Sequence, residues 1–199
     1  MADHKHIIQF IRRAEGAYGN DPLDAGGETV WGITWLTWKS FFGDTHDRFL
    51  KMTDDDWGSI FKKLFWDKTL GDQIESQRVA DMIVDWVWNS GKHYPEMYVQ
   101  DILIHAFGQH ITEDGNFGPA TIASINGVDE QQLYDDLIAK RLWYFDQCVI
   151  SHPTNKKFIN GWRNRVNHLI EFEKKWKTSL NLIQIYPDNL NHFIEYLNQ

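Results

Sequence analysis

Apolar residues recur at helical spacing through most of this chain. Ile7, Ile8, Ile11 and Ala14 predict a first helix, capped by Asp3 and ended by Gly16 and Gly19. Thr53, three residues before Asp56, predicts a second start, with Trp57, Ile60, Phe61, Leu64 and Phe65 on one face. The run Asp54-Asp55-Asp56 suits the positive end of that helix better than a metal site. From Ser76 to Asn89 the stripe of Val79, Met82, Ile83, Trp86 and Val87 is dense enough to predict a central, buried helix ending at Gly91. Pro95 can open the next, with Val99, Ile102, Leu103, Ala106 and Phe107 inward and Gly108 as its stop. A turn at 114–119 leads to a short helix around Thr121 to Ile125, then to a longer one with Leu133, Leu137, Arg141 and Tyr144. Phe158 to Trp176 and a last short piece, Pro187 to Leu197, complete the series. No segment alternates with period two, so the expected fold class is all-α, with a small β-hairpin near residues 18–34.

That hairpin region breaks the helical pattern. Four glycines precede Thr29, together with Pro22 and the pair Asn20-Asp21, which predicts an ordered loop or short hairpin. A long Gly/Asp-rich loop inside a compact chain is more often functional than idle.

With 199 residues the chain can bury a core as one domain or two small ones. The ten tryptophans are unusual, and tryptophan serves both cores and sugar rings; Trp31, Trp35, Trp38 and Trp88 are candidates for either use. Cys148 is the only cysteine, which rules out an internal disulfide and suits a small buried hydrophobe. A net charge of −8 argues against a general nucleic-acid binder. Residues 151–180 nevertheless carry seven Lys/Arg against two Glu, either a solvated helix face or a surface for an anionic polymer. The N-terminus lacks a signal-peptide core and no run approaches a membrane span, so the expectation is a protein made in the cytoplasm, not inserted in a membrane and exported by another route. Nine histidines occur without metal-ligand spacing, and the 114–119 turn offers too few oxygens for a calcium loop, so neither metal nor cofactor is expected.

Glu15 ends the first helix against an apolar stripe, beside a loop carrying Asp21 and Asp24. Glycoside hydrolysis needs one carboxyl that donates a proton, and often a second group that is ionised or positions water. Such pairs are common, but the surrounding stretch is not. Glu15-Gly16-Ala17-Tyr18-Gly19-Asn20-Asp21-Pro22-Leu23-Asp24-Ala25-Gly26-Gly27-Glu28-Thr29-Val30-Trp31-Gly32-Ile33-Thr34 resembles the signature of glycoside hydrolase family 108, N-acetylmuramidases with a Glu-Gly-Gly-Tyr motif. Phe65-Trp66-Asp67 and Asp85 with Asn89-Ser90-Gly91 continue the resemblance. Residues 96–180, with Asp114-Gly115-Asn116-Phe117-Gly118-Pro119-Ala120-Thr121 and Gly161-Trp162-Arg163-Asn164-Arg165-Val166, resemble the predicted peptidoglycan-binding region that accompanies this family.

The resemblance implies a lysozyme-like fold with a catalytic region over 1–95, a helical wall-binding region over 96–180 packed on it, and an extension over 181–199. It places the catalytic glutamate on Glu15 and the motif tyrosine on Tyr18, with Ala17 where the family has glycine. A second resemblance, to phage lysozymes, has an aspartate nine residues after the glutamate and a threonine about six later. It implies catalytic roles for Asp24 and Thr29, the threonine one position early, with Asp24, or Thr29 with it, holding the attacking water. Tyr18, Asp21, Trp31, Thr34 and Asn89 complete the expected substrate-facing set; Asp21 equally suits a brace within the loop, and Asp85 a brace beneath it. The implied activity is cleavage of the β-1,4 bond after N-acetylmuramic acid in peptidoglycan by an endolysin-like monomer, with a holin as one export route. A lytic transglycosylase and a non-catalytic wall-binding protein are the rivals.

Overall fold

The computed structural model describes residues 1–20 and 27–185, with side chains to 178. The predicted helix Pro187 to Leu197 lies outside the described residues. Helix α1 (His4–Ala14) starts where the Asp3 carboxylate accepts from the Lys5 amide and stops at Glu15, whose backbone is extended. Three two-residue strands follow, β1 (Tyr18–Gly19), β2 (Thr29–Val30) and β3 (Ile33–Thr34), in one antiparallel sheet of order β1-β2-β3. Tyr18 pairs with Val30, and Val30 with Ile33. The fold is mostly helical and lysozyme-like, as expected, and the hairpin grows into a three-stranded sheet.

Two helices that the apolar spacing does not predict come next, α2 (Trp35–Phe42) and α3 (His46–Leu50). The aromatic run Trp35 to Phe42 is apolar on too many sides to show a stripe. Helix α4 (Asp54–Phe61) begins with a full capping box between Thr53 and Asp56. The α-helix does not continue to Phe65 as its pattern suggests; residues Lys62–Trp66 widen into a π turn. Helix α5 (Gln77–Ser90) is the centre of the molecule, with every residue from Val79 to Val87 buried. Helix α6 (His93–His105) starts two residues before Pro95, and α7 (Pro119–Gly127), α8 (Glu130–Ser151) and α9 (Ile159–Ile185) follow. Helix α5 packs on α1, α6 and α8, and α9 returns to lie against α8 and α1. A single hydrophobic core therefore runs from Ile7 on α1 through α5 to Leu169 on α9. No helix among the described residues is long and apolar enough to cross a membrane.

The 114–119 turn is held by a side chain. Gln100 on α6 accepts from the amides of Asp114 and Gly115 and donates to the Asn116 carbonyl. Gly115 takes a positive φ of 66°, and an added Cβ would lie 2.6 Å from His93.

Three buried ionisable groups meet where α1, α5 and α9 pack. His6 Nδ1 lies 2.5 Å from Asp81 Oδ2 and 3.7 Å from Glu173 Oε1. Burial pushes the Glu173 carboxyl up to about 9 and the Asp81 carboxyl up to about 7, and it pushes His6 down. An acid whose pKa rises on folding stabilises the fold below its unfolded value, and that contribution is lost as pH rises through the folded value. The lowered His6 acts in the opposite sense only as pH falls through its unfolded value of 6.5. Stability should therefore fall between pH 7 and 9, by at most about 1.4 kcal/mol per pH unit. Denaturant melts across this window should show the fall, and Glu173→Gln should flatten it.

Candidate active site

Glu15 sits where α1 ends, 19% exposed at its side chain. Two donors meet on one of its oxygens: Trp88 Nε1 at 2.8 Å and Arg165 Nη1 at 3.1 Å both reach Oε1. Each donor is itself fixed. The Trp88 indole, near the end of α5, packs among Trp57, Phe61 and Phe65 with ring centroids 4.6–5.8 Å apart. Arg165, on α9, donates from Nε and Nη2 to Asp85 Oδ1 at 3.0 and 2.9 Å. The other oxygen of Asp85 accepts from Arg141 Nη2 on α8 at 2.7 Å, and both residues of that pair are fully buried. Asp85 thus braces Glu15 through Arg165, and no hydrogen bond to the glycine loop is present among the described residues. Burial opposes the charge of Arg165, but Asp85 and then Glu15 more than offset it, and the guanidinium is held charged. In Arg141, burial outweighs Asp85 and lowers the pKa from its ordinary value.

The opposite wall is a tight turn. Trp31 and Gly32 join β2 to β3 with φ of 49° and 78°, both in the left-handed region, as a type I′ hairpin turn requires. Gly32 fits because an added Cβ would lie 2.7 Å from Glu15 Oε2 and 2.9 Å from the Trp88 ring. A left-handed tryptophan is costly, and three contacts hold it: its amide donates to the Ala17 carbonyl at 3.1 Å, its carbonyl accepts from Trp57 Nε1 at 3.0 Å, and the Arg12 guanidinium covers its ring at 3.7 Å. That cover occupies one face of Trp31 as a sugar platform. Trp38 is fully buried and belongs to the core.

The remaining expected site residues divide. Thr29 faces Gly19 across the sheet and its hydroxyl donates to the Gly19 carbonyl at 3.3 Å. Tyr18 is exposed and donates to Glu28 Oε1 at 3.0 Å, while Glu28 Oε2 meets His46 Nε2 at 2.7 Å. The His46 hydrogen bond holds the Glu28 carboxyl below its usual range, with Tyr18 adding to it. Thr34 is engaged as the N-cap of α2, accepting from the Thr37 amide at 3.1 Å. Asn89 donates to the Asp85 carbonyl at 2.7 Å. Asp21 and Asp24 lie outside the described residues. Among the described residues, one cluster brings three groups close enough to hold a cation, His6, Asp81 and Glu173, whose ligand atoms lie within 4.8 Å of one another. Its His6 is nine residues before Glu15 along the chain, about 13 Å of helix.

With the Glu15 carboxyl held by two donors, comparison with known proteins adds two likenesses. Residues 8–91 match the model of Glycosyl hydrolase 108, and residues 94–167 match that of the Predicted Peptidoglycan domain. The segment that carries Glu15 is thus similar to glycosyl hydrolase family 108. The two matched regions meet between α5 and α6. No curated protein matches the chain. A solved structure of Brucella abortus SagA shares its fold, with a TM-score of 0.67 and 23% identity over 83% of this chain and 90% of that one.

Sequence reasoning missed Arg165 and Glu28 as site residues. Arg165 lies among Trp162, Val166 and Leu169, on the stripe that packs inward, which marks it as different from its exposed basic neighbours. Removing the charge of Asp85 would leave two guanidinium groups without their shared partner. Asp85→Asn should cost about 3 kcal/mol or more of stability, measured by urea unfolding.

Proposed function

We propose that this peptidoglycan hydrolase is an N-acetylmuramidase, in which Glu15 protonates the glycosidic oxygen of the β-1,4 bond between N-acetylmuramic acid and N-acetylglucosamine. The observation that carries this is the pair of fixed donors on Glu15 Oε1. As the proton leaves for the sugar oxygen, negative charge grows on the carboxylate, and Trp88 and Arg165 meet it without rearrangement. The turn at Gly32 brings the opposite wall against the carboxylate, so the acid has little freedom to swing from its position.

Hydrolysis also needs a water on the far side of the sugar. Asp24 and Thr29 fill this role in the proposal, an assignment supported by their spacing from Glu15 and, for Thr29, by its place on β2. The exposed Tyr18 is suited to a sugar hydroxyl, with Glu28 and His46 fixing its ring.

Glu15→Gln keeps the shape and removes the proton, so the lysis rate of purified cell walls should fall at least about a hundredfold in a protein that still folds. Mass spectrometry of the digest should show reducing muramic acid ends. Ends of the 1,6-anhydro type would make the protein a lytic transglycosylase, and walls bound but never cut would make it a binding protein.

Asp24→Asn should slow turnover roughly a hundredfold with KM little changed, because it misplaces the water in the transition state without touching ground-state binding. Steady-state kinetics on soluble glycan strands would measure both constants.

A further inference from the structure

A groove of about 620 Å³ runs along the seam between α1 and α9. It begins at Ala14, Asn89 and Arg165, beside the catalytic carboxyl, and continues to Phe172 and Lys175. From Gly161 to Lys175 the α9 side extends about 21 Å. Its lining is partly aromatic: the Phe10 and Phe172 rings lie 5.6 Å apart, and Trp162 also lines it.

The rim carries positive charge and polar donors. Arg13 on α1 is exposed and forms no ion pair among the described residues, and His168 and Asn164 on α9 are exposed across from it. Among the described lining residues the one acid, Glu171, is bridged by Lys174 at 3.0 Å. The protein as a whole is acidic, so a cationic rim beside the acid stands against the general charge.

Resting on the muramidase proposal, we infer that this groove binds the short peptide that muramic acid carries on its lactyl group, with Arg13 and His168 receiving the peptide's free carboxylates. A muramic acid at the scissile bond places that lactyl group next to Glu15, where the groove begins. An extended peptide of four or five residues spans about 13–18 Å, within the groove's length. The aromatic lining suits its backbone and short side chains, and charge-assisted hydrogen bonds at the rim suit its carboxylates.

Affinity, which needs no turnover, separates this inference from the one about catalysis. Isothermal titration would compare the disaccharide-tetrapeptide with the same disaccharide lacking its peptide. The wild-type protein should bind the peptide-bearing form at least about tenfold more tightly, and Arg13→Glu should remove most of that preference, with His168→Ala removing part. Arg13 is exposed, so these variants should fold normally, and circular dichroism would check it. Equal affinity for the two ligands in the wild type, or a preference untouched by Arg13→Glu, would overturn the inference, as would polyphosphate competing at the groove while the peptide makes no difference. A protein that discriminates the ligands by this pattern but never cuts glycan would refute the muramidase proposal and leave the groove assigned.

Discussion

Asp85 is the point on which the arrangement depends. It lies fully buried in the central helix and holds two arginines from two different helices, one of which reaches on to the carboxyl at the end of α1. Taking these charges out of water costs several kcal/mol per ion, and the bonds between them return that only when the geometry is good. Both Asp85 oxygens are engaged at 2.7–3.0 Å, which meets the condition. Apolar residues of similar volume in place of all three charged ones would pack as well, but they would leave Glu15 without its arginine donor. The buried charge therefore contributes position to the site more than stability to the fold.

Much of the fold was legible because helical stripes are local. The Asp3 and Thr53 caps and the dense stripe from Val79 to Val87 are each set by residues within a few positions, and all appear where that pattern puts them. Helices α2 and α3 were not legible, since eight residues including Trp35, Leu36, Trp38, Phe41 and Phe42 show no polar face to define a period. Continuity through Phe65 was misread for a different reason: a π turn adds one residue per turn, and apolar spacing over so short a stretch does not register the shift.

The site was legible in part. Glu15 stood out through its motif and its place at a helix end, and Trp88 through its type. What neither periodicity nor motif could supply is the partner of Glu15, because Arg165 lies 150 residues further along the chain. Asp85 was read as a brace beneath the glycine loop; among the described residues its carboxylate holds arginines of α8 and α9. Thr34, inside the functional signature, also starts a helix, an engagement that the motif does not reveal.

The match to the hydrolase family ends at residue 91 and the match to the peptidoglycan domain covers 94–167, yet Arg165 belongs to the second stretch and Glu15 to the first. The boundary drawn along the sequence is thus not a boundary of the chemistry. Swapping the second region for a binding module from elsewhere, as is done with tethered enzymes joined by linkers, would remove one of the two groups that hold the acid. A chimera keeps this contact only if its new half brings its own arginine to the same place.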